Sequence, residues 1–184
     1  MIIGITGTDG AGKGAVVDYL VNKHGFIHYS SRALLEEEFV RRGTESNRIN
    51  MRLIANELRA AHGNDFVVSS YMQKINKDET KQAIIESIRA TDEVLTLKKE
   101  GGVLLAVDAD QTIRYNRIKG RKSSSDQVSF AEFAAHEALE MNDPDPHGMQ
   151  KAKVIAMADF TIQNNGSFRE MGAQIETFLH SHNS

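Results

Sequence analysis

Gly7, Gly12 and Lys13 stand at the G-x-x-x-x-G-K spacing of a phosphate-binding loop, in the run Gly7-Thr8-Asp9-Gly10-Ala11-Gly12-Lys13-Gly14-Ala15. Such a loop needs glycine because the backbone must curl round a phosphate with φ values that a side chain forbids, turning successive N–H groups inward. A following helix N-terminus adds partial positive charge and Lys13 adds a full one, so Gly7 through Ala15 read as a cradle for ATP. The place after the lysine, where a Ser or Thr hydroxyl usually meets Mg²⁺, is Gly14, and Ala15 follows. Mg²⁺ is then expected to be held by nucleotide phosphates, by water and by a carboxylate elsewhere. This departure bears on transfer more than on binding.

Two carboxylates are candidates for that role, Glu86 at the end of Gln82–Glu86 and Asp108 at the end of Val103–Asp108. Glu86 suits a metal-bound water or the proton of an acceptor. Asp108 has the same placement, with a helix cap near Asp110 as the alternative. Phosphoryl transfer also needs positive charge on the transferring oxygens. Arg117 and Arg121 lie four apart on one helix face, beside the polar run Lys122 to Gln127, and are placed to reach down onto phosphates. Arg89, just past a strand end, is a candidate clamp for an acceptor phosphate, with a salt bridge to Glu86 or Glu93 as the alternative. Arg32 opens a helix after the second strand and belongs near the cleft. Arg59 reads equally as an acceptor ligand or an ion-pair partner, and Arg41 and Arg42 as surface groups. Asp9 faces the gap between two substrates, either binding a sugar hydroxyl or bracing the loop.

These residues need a scaffold, and 184 residues with 40% hydrophobic and 26% charged side chains suffice for one well-buried domain. A net charge of −3 supplies no field for nucleic acid or a membrane surface, and neither is an expected partner. The absence of cysteine excludes disulfides, thiolate metal sites and cysteine nucleophiles, and the seven histidines show no zinc-binding spacing. Without a basic leader or an apolar run of membrane-spanning length, the expected compartment is the cytoplasm. Monomer and homodimer are both compatible with the sequence.

Ile2–Gly7 reads as a strand followed by a helix with its apolar stripe at Val16, Val17, Leu20 and Val21. Phe26–Tyr29 is expected as a short buried strand, after which Ser30-Ser31 caps a helix to Arg42. Two more helical patterns run to about Ile75 with no strand between, an all-helical insert over the sheet. Gln82–Glu86, Val103–Asp108 and Phe160–Ile162 are further strands, alternating with helices at about Ser87–Lys98, Gln111–Arg121, Phe130–Met141 and the C-terminal segment to Leu179. Asp143 to Gly148 is a breaker cluster holding both prolines. The alternation predicts a parallel sheet covered on both faces, with ligands at the carboxyl ends of its strands. Lys13, Ser30, Glu86 and Asp108 then share one edge.

In this order the chain resembles the nucleoside monophosphate kinase-like P-loop kinases, in the branch that includes dephospho-coenzyme A kinase and the adenylate-kinase-related proteins of archaea. Gly7–Gly14 is similar to the phosphate loop, Tyr29–Glu38 to the acceptor-side helix, and Ile85–Arg89 to a strand end whose acid and arginine face the acceptor. Val107–Asp110 with Arg117 and Arg121 is similar to the helix leading into a lid. Ala158–Ser167 resembles the loop that wraps adenine, which brings Asn164 and Gly166 to the nucleotide. Asp9 inside the loop is similar to thymidylate kinase. The resemblance implies a three-layer α/β P-loop NTPase fold with a five-stranded parallel sheet, a helical acceptor-binding region at about 31–77 and a lid at about 118–148. It further implies ATP and Mg²⁺ as cofactors and a nucleoside or deoxynucleoside monophosphate as acceptor. Dephospho-coenzyme A is the alternative acceptor, and a nucleotide-binding module with little catalysis the alternative class.

Overall fold

In the computed structural model, which describes residues 1–45, 47–120 and 128–182, five strands form one parallel sheet. They are β1 (Ile2–Gly7), β2 (Ile27–Ser30), β3 (Ala83–Glu86), β4 (Val103–Asp108) and β5 (Phe160–Gln163), in the order β2-β3-β1-β4-β5. The expected three-layer α/β architecture is therefore present. The central strands read as continuous apolar runs because both faces are covered, and their parallel pairing requires a crossover after each one.

On one face Ile3, Ile5, Ile84, Leu105, Val107 and Ile162 pack under α1 (Lys13–His24) and α9 (Phe168–His182). On the other, Ala83, Ile85 and Leu104 meet α4 (Phe66–Lys77), α5 (Thr91–Lys99) and α8 (Lys151–Ala156). Gly4 lets α5 come down onto β1: a Cβ there would lie 2.4 Å from both Ile88 Cδ1 and Leu97 Cδ2. α2 (Ser31–Arg42) and α3 (Arg48–His62) pack on each other through Leu35, Phe39, Ile54 and Ala55, a smaller cluster of their own. α6 (Gln111–Gly120) and α7 (Phe130–Met141) stand at the carboxyl ends of the strands.

Three local expectations change. β2 is an edge strand rather than a buried one, with Ile27 51% exposed, because it pairs only with β3. Ser30 occupies the cap position of α2 without a side-chain capping bond; Ser31 Oγ instead donates to Glu86 O at 2.5 Å, tying the helix to the end of β3. α4 belongs to the sheet layer, since Val67, Val68, Tyr71, Met72 and Ile75 enter the main core; α3 packs with α2 in the separate cluster, and α2 itself touches the main core through Leu34. The stretch of the expected lid at Arg121–Gln127 lies outside the described residues.

Leu97 and Leu95 sit two apart on α5, one fully buried and the other 59% exposed. Leu97→Ala should therefore lower the unfolding free energy by about 2–5 kcal/mol in urea titrations, while Leu95→Ala changes it by about 0.5 kcal/mol or less.

Candidate functional site

β1 is flanked by β3 and β4, so the carboxyl ends of these three strands put Gly7, Glu86 and Asp108 side by side. The loop leaving β1 turns back over them. Gly7 has φ 131°, and a Cβ there would stand 1.9 Å from Val107 O, so only glycine lets the loop start against β4. Gly12, with φ 99°, forms the left-handed cap of α1, and a Cβ there would meet Asn164 Nδ2 at 2.4 Å. Gly10 also has positive φ and backs onto the Arg114 carbonyl. The turn leaves the first N–H groups of α1 and the Gly14 face open, with nothing within 4 Å of the place of a Gly14 Cβ. The arrangement fits a polyphosphate by its backbone, its helix N-terminus and its lysine.

Two bonds brace the loop from β4. Thr8 Oγ1 donates to Asp108 Oδ1 at 2.6 Å, and that oxygen also accepts from the Ala109 N–H at 2.9 Å. Asp108 thus caps the turn after β4 and holds the loop. Arg114, buried, donates to Ala109 O at 2.7 Å and to Asp9 O at 3.2 Å, and forms an ion pair with Glu137 of α7. Asn164 Nδ2 donates to Ala11 O at 2.7 Å, so the loop after β5 is fixed to the phosphate loop by this side chain. Arg117 Nη1 reaches the same carbonyl at 3.4 Å. Gly12, Ala15, Arg117, Asn164, Gly166, Phe168 and Met171 enclose an open cavity of about 320 Å³ beside the loop.

Charge gathers on the other side. Lys13 Nζ folds back to donate to Gly7 O at 3.1 Å and Thr8 O at 2.8 Å, and lies 3.9 Å from Asp9 Oδ1. Burial lowers its pKa to about 8, with Lys151 and Arg89 adding to the fall and Asp9 opposing it. Burial alone would raise the Asp9 carboxyl, but Lys151, then Lys13 and Arg89, outweigh it and hold the acid well below the usual carboxylate range. Lys151 Nζ donates to Asp9 Oδ1 at 2.9 Å and to Glu140 Oε2 at 2.5 Å. Glu86 Oε2 lies 3.0 Å from His28 Nε2, and this bond, with the charges of His28, Lys13 and Arg89, lowers its pKa against burial. Both acids are ionised near neutral pH. With no hydroxyl at position 14 or 15, the carboxylates that fit Mg²⁺ at the loop are Glu86 and, through its other oxygen, Asp108, each by way of water.

The arginines divide. Arg89 sits at the end of β3 near Asp9 and Lys13; its backbone N–H donates to Glu93 Oε2 at 2.7 Å and its Nη1 to Met149 Sδ at 3.5 Å. Among the described residues its guanidinium forms no ion pair with Glu86 or Glu93. Arg32 is exposed and paired with Glu36 at 2.8 Å. Arg59 is buried, 3.8 Å from Glu93, and burial lowers its pKa. It joins α3 to α5, and the ion-pair alternative describes its place. Arg52 likewise holds Asp143, and Asn56 holds Asp145, so the breaker cluster is the joint that locks α3 to the core. Arg121 lies outside the described residues. Lys151, Glu140, Thr8 and His28 were not singled out by sequence. Lys151 is 142 positions from Asp9, and no local spacing connects the two.

Comparison with known proteins agrees with this geometry. A family model described as an AAA domain matches residues 3–144. A UPF0200 protein of Hyperthermus butylicus is 30% identical over 97% of this chain and 93% of its own length. Among solved structures, shikimate kinase from Bacteroides thetaiotaomicron superposes with TM-score 0.63 at 13% identity, covering 100% of this chain and 99% of that one. A gluconokinase from Sinorhizobium meliloti does so with TM-score 0.56 at 10% identity, covering 97% and 93%. The two kinases share the fold. On the family match and the full-length relative, this chain belongs to the AAA domain family of P-loop NTPases and to the UPF0200 proteins.

Proposed function

We propose that this protein is an ATP-dependent small-molecule kinase that moves the γ-phosphoryl group onto a nucleoside or deoxynucleoside monophosphate. The observation that carries the reading is the meeting of Lys13, Asp9, Glu86 and Arg89 at the carboxyl ends of β1 and β3, with the Arg117-lined cavity on the loop's far side. Two phosphate-bearing molecules suit the two sides of one loop. The base and ribose of ATP lie in the cavity walled by Ala15, Arg117, Asn164, Gly166 and Phe168. The loop amides and Lys13, released from Gly7 O and Thr8 O, hold its phosphates. Mg²⁺, when bound, supplies charge neutralisation on the transferring oxygens. Arg89 aligns the acceptor phosphate from the β3 side, Arg117 steadies the nucleotide, and Arg121 joins it from the lid at about 118–148.

In the transfer, an acceptor phosphate oxygen forms a bond to the γ-phosphorus as the bond to the ADP oxygen breaks. Glu86, ionised and oriented by His28, takes any proton left on that acceptor oxygen. Asp9 accepts from a hydroxyl of the acceptor sugar. The region at about 31–77 forms the acceptor side, although its arginines largely face acids: Arg32 with Glu36, Arg52 with Asp143, Arg59 with Glu93. That leaves Arg89 as the main cation for the acceptor, which favours one phosphate group over the diphosphate of dephospho-coenzyme A. The two kinase neighbours, a shikimate kinase and a gluconokinase, support phosphoryl transfer to a small molecule in general. One observation favours a second reading, a nucleotide-binding module with little turnover: the open space beside Gly14, where no hydroxyl stands.

An ADP-release assay with ATP and Mg²⁺ against ribo- and deoxynucleoside monophosphates and dephospho-coenzyme A decides between them. Turnover on a monophosphate, lowered by about 10²-fold or more in Lys13→Ala, is expected. Turnover confined to dephospho-coenzyme A would replace the acceptor, and ATP binding without turnover on any acceptor would favour the module.

Lys13 must carry its proton to hold a phosphate, and its pKa is about 8 in the free protein. ATP affinity should consequently lose about tenfold per pH unit above that value, where binding must take up a proton, and show no Lys13-linked change below it. Titrations from pH 7 to pH 10 check this, with Lys13→Ala giving a weak profile that lacks the break.

A further inference from the structure

Lys151 opens α8, which packs on β1, α5 and α7. Its side chain is 5% exposed and points to the phosphate loop, donating to Asp9 Oδ1 at 2.9 Å and Glu140 Oε2 at 2.5 Å. Lys13 approaches the same Asp9 oxygen at 3.9 Å. Two ammonium groups from opposite ends of the chain therefore share one carboxylate oxygen inside a loop shaped for phosphate. A small cavity lined by Thr8, Asp9, Phe133, Glu140 and Lys151 adjoins them.

We propose that Lys151 is a second phosphate-binding lysine, held by Asp9 and Glu140 until oxygens of a bound triphosphate replace one of these carboxylates as its acceptor. The inference rests on the nucleotide-binding reading of the loop and adds a ligand to it. A lysine whose work was only to pin α7 needs Glu140 alone; here the ammonium also turns to an acid within the phosphate loop. The chemistry of the site calls for such a cation, because Gly14 and Ala15 bring no hydroxyl to a metal while the phosphates carry several negative charges. Lysine suits the exchange, being a point charge with three donors on a flexible stem. Its backbone is fixed on β1 and α5, and Glu140 belongs to α7, which packs on α8, so the exchange needs only the two side chains to part.

Isothermal titration of ATP in Mg²⁺-free buffer into the wild type, Lys13→Ala, Lys151→Met, Lys151→Arg and Glu140→Gln tests this, with thermal melts of each variant. Lys151→Met should weaken binding about tenfold or more, and Lys151→Arg should restore it to within about threefold. Glu140→Gln should do the reverse of Lys151→Met, tightening binding about threefold by releasing the ammonium from a competing charge. A lysine that merely pins α7 predicts the same direction for Lys151→Met and Glu140→Gln, and that result, or unchanged affinity in Lys151→Met, overturns the proposal. Should Lys151→Met lack a cooperative melt, the direction of Glu140→Gln decides alone. A wild type that binds no ATP, or binds it as well after Lys13→Ala, removes the phosphate-loop reading and Lys151 with it; ATP binding that depends on Lys13 but not on Lys151 removes this inference only.

Discussion

The contact on which the site depends is that of Gly7 with the backbone of Val107, where even a methyl group would stand 1.9 Å from a carbonyl oxygen. It brings the turn after β1 flush against β4, and every later bond to the loop presupposes that closeness. Thr8 can reach Asp108 only because the turn begins there, and Arg114 can support the Asp9 carbonyl only because α6 follows β4 directly. Gly4 has the same role earlier in the strand, admitting α5 and with it the Arg89–Glu93 corner at the end of β3. Two small residues in β1 thus bring the phosphate loop and the acceptor side together.

Around this frame, charge rather than shape distinguishes the two sides of the loop. The side toward β5 carries Arg117, the Asn164 amide and open space. The side toward β3 carries Lys13, Lys151 and Arg89 against Asp9, Glu86 and Glu140. Burying charges in near balance avoids the desolvation cost of a lone ion, and leaves cations that an incoming phosphate can take over from carboxylates. The network also explains why Lys13 titrates so low: burial disfavours its charge, Lys151 and Arg89 add to that, and the carboxylates of Asp9 and Glu86 only partly offset them.

The insert follows a different logic. α2 and α3 share a small core of their own; α3 is fastened to the molecule by polar joints, Arg52 to Asp143, Asn56 to Asp145 and Arg59 to Glu93, and α2 by Ser31 on Glu86 O and by Leu34 on the main core. Arg59 Nε, Glu93 Oε1 and Asn56 Oδ1 are buried without hydrogen-bond partners among the described residues. A joint with such unpartnered buried atoms costs stability, unlike the apolar packing that holds α4 and α5 to the sheet.

Much of this was legible in the amino-acid order alone. The loop spacing, the apolar runs ending in Glu86 and Asp108, and the alternation of strands and helices determined the fold class and the edge at which the site lies, because periodicity and glycine placement are local properties. The tertiary structure decided what those residues face. Asn164 and Asp108 turned out to brace the loop, Arg59 to be buried against Glu93, and β2 to be an edge strand, none of which depends on neighbours in sequence. Lys151 is the clearest case: its ordinary surroundings, Gln150 and Ala152, carry no signal, and its position comes from α8 packing on β1. Partners across the sheet are set by long-range packing, so charge pairing is the aspect of the site that only folding fixes.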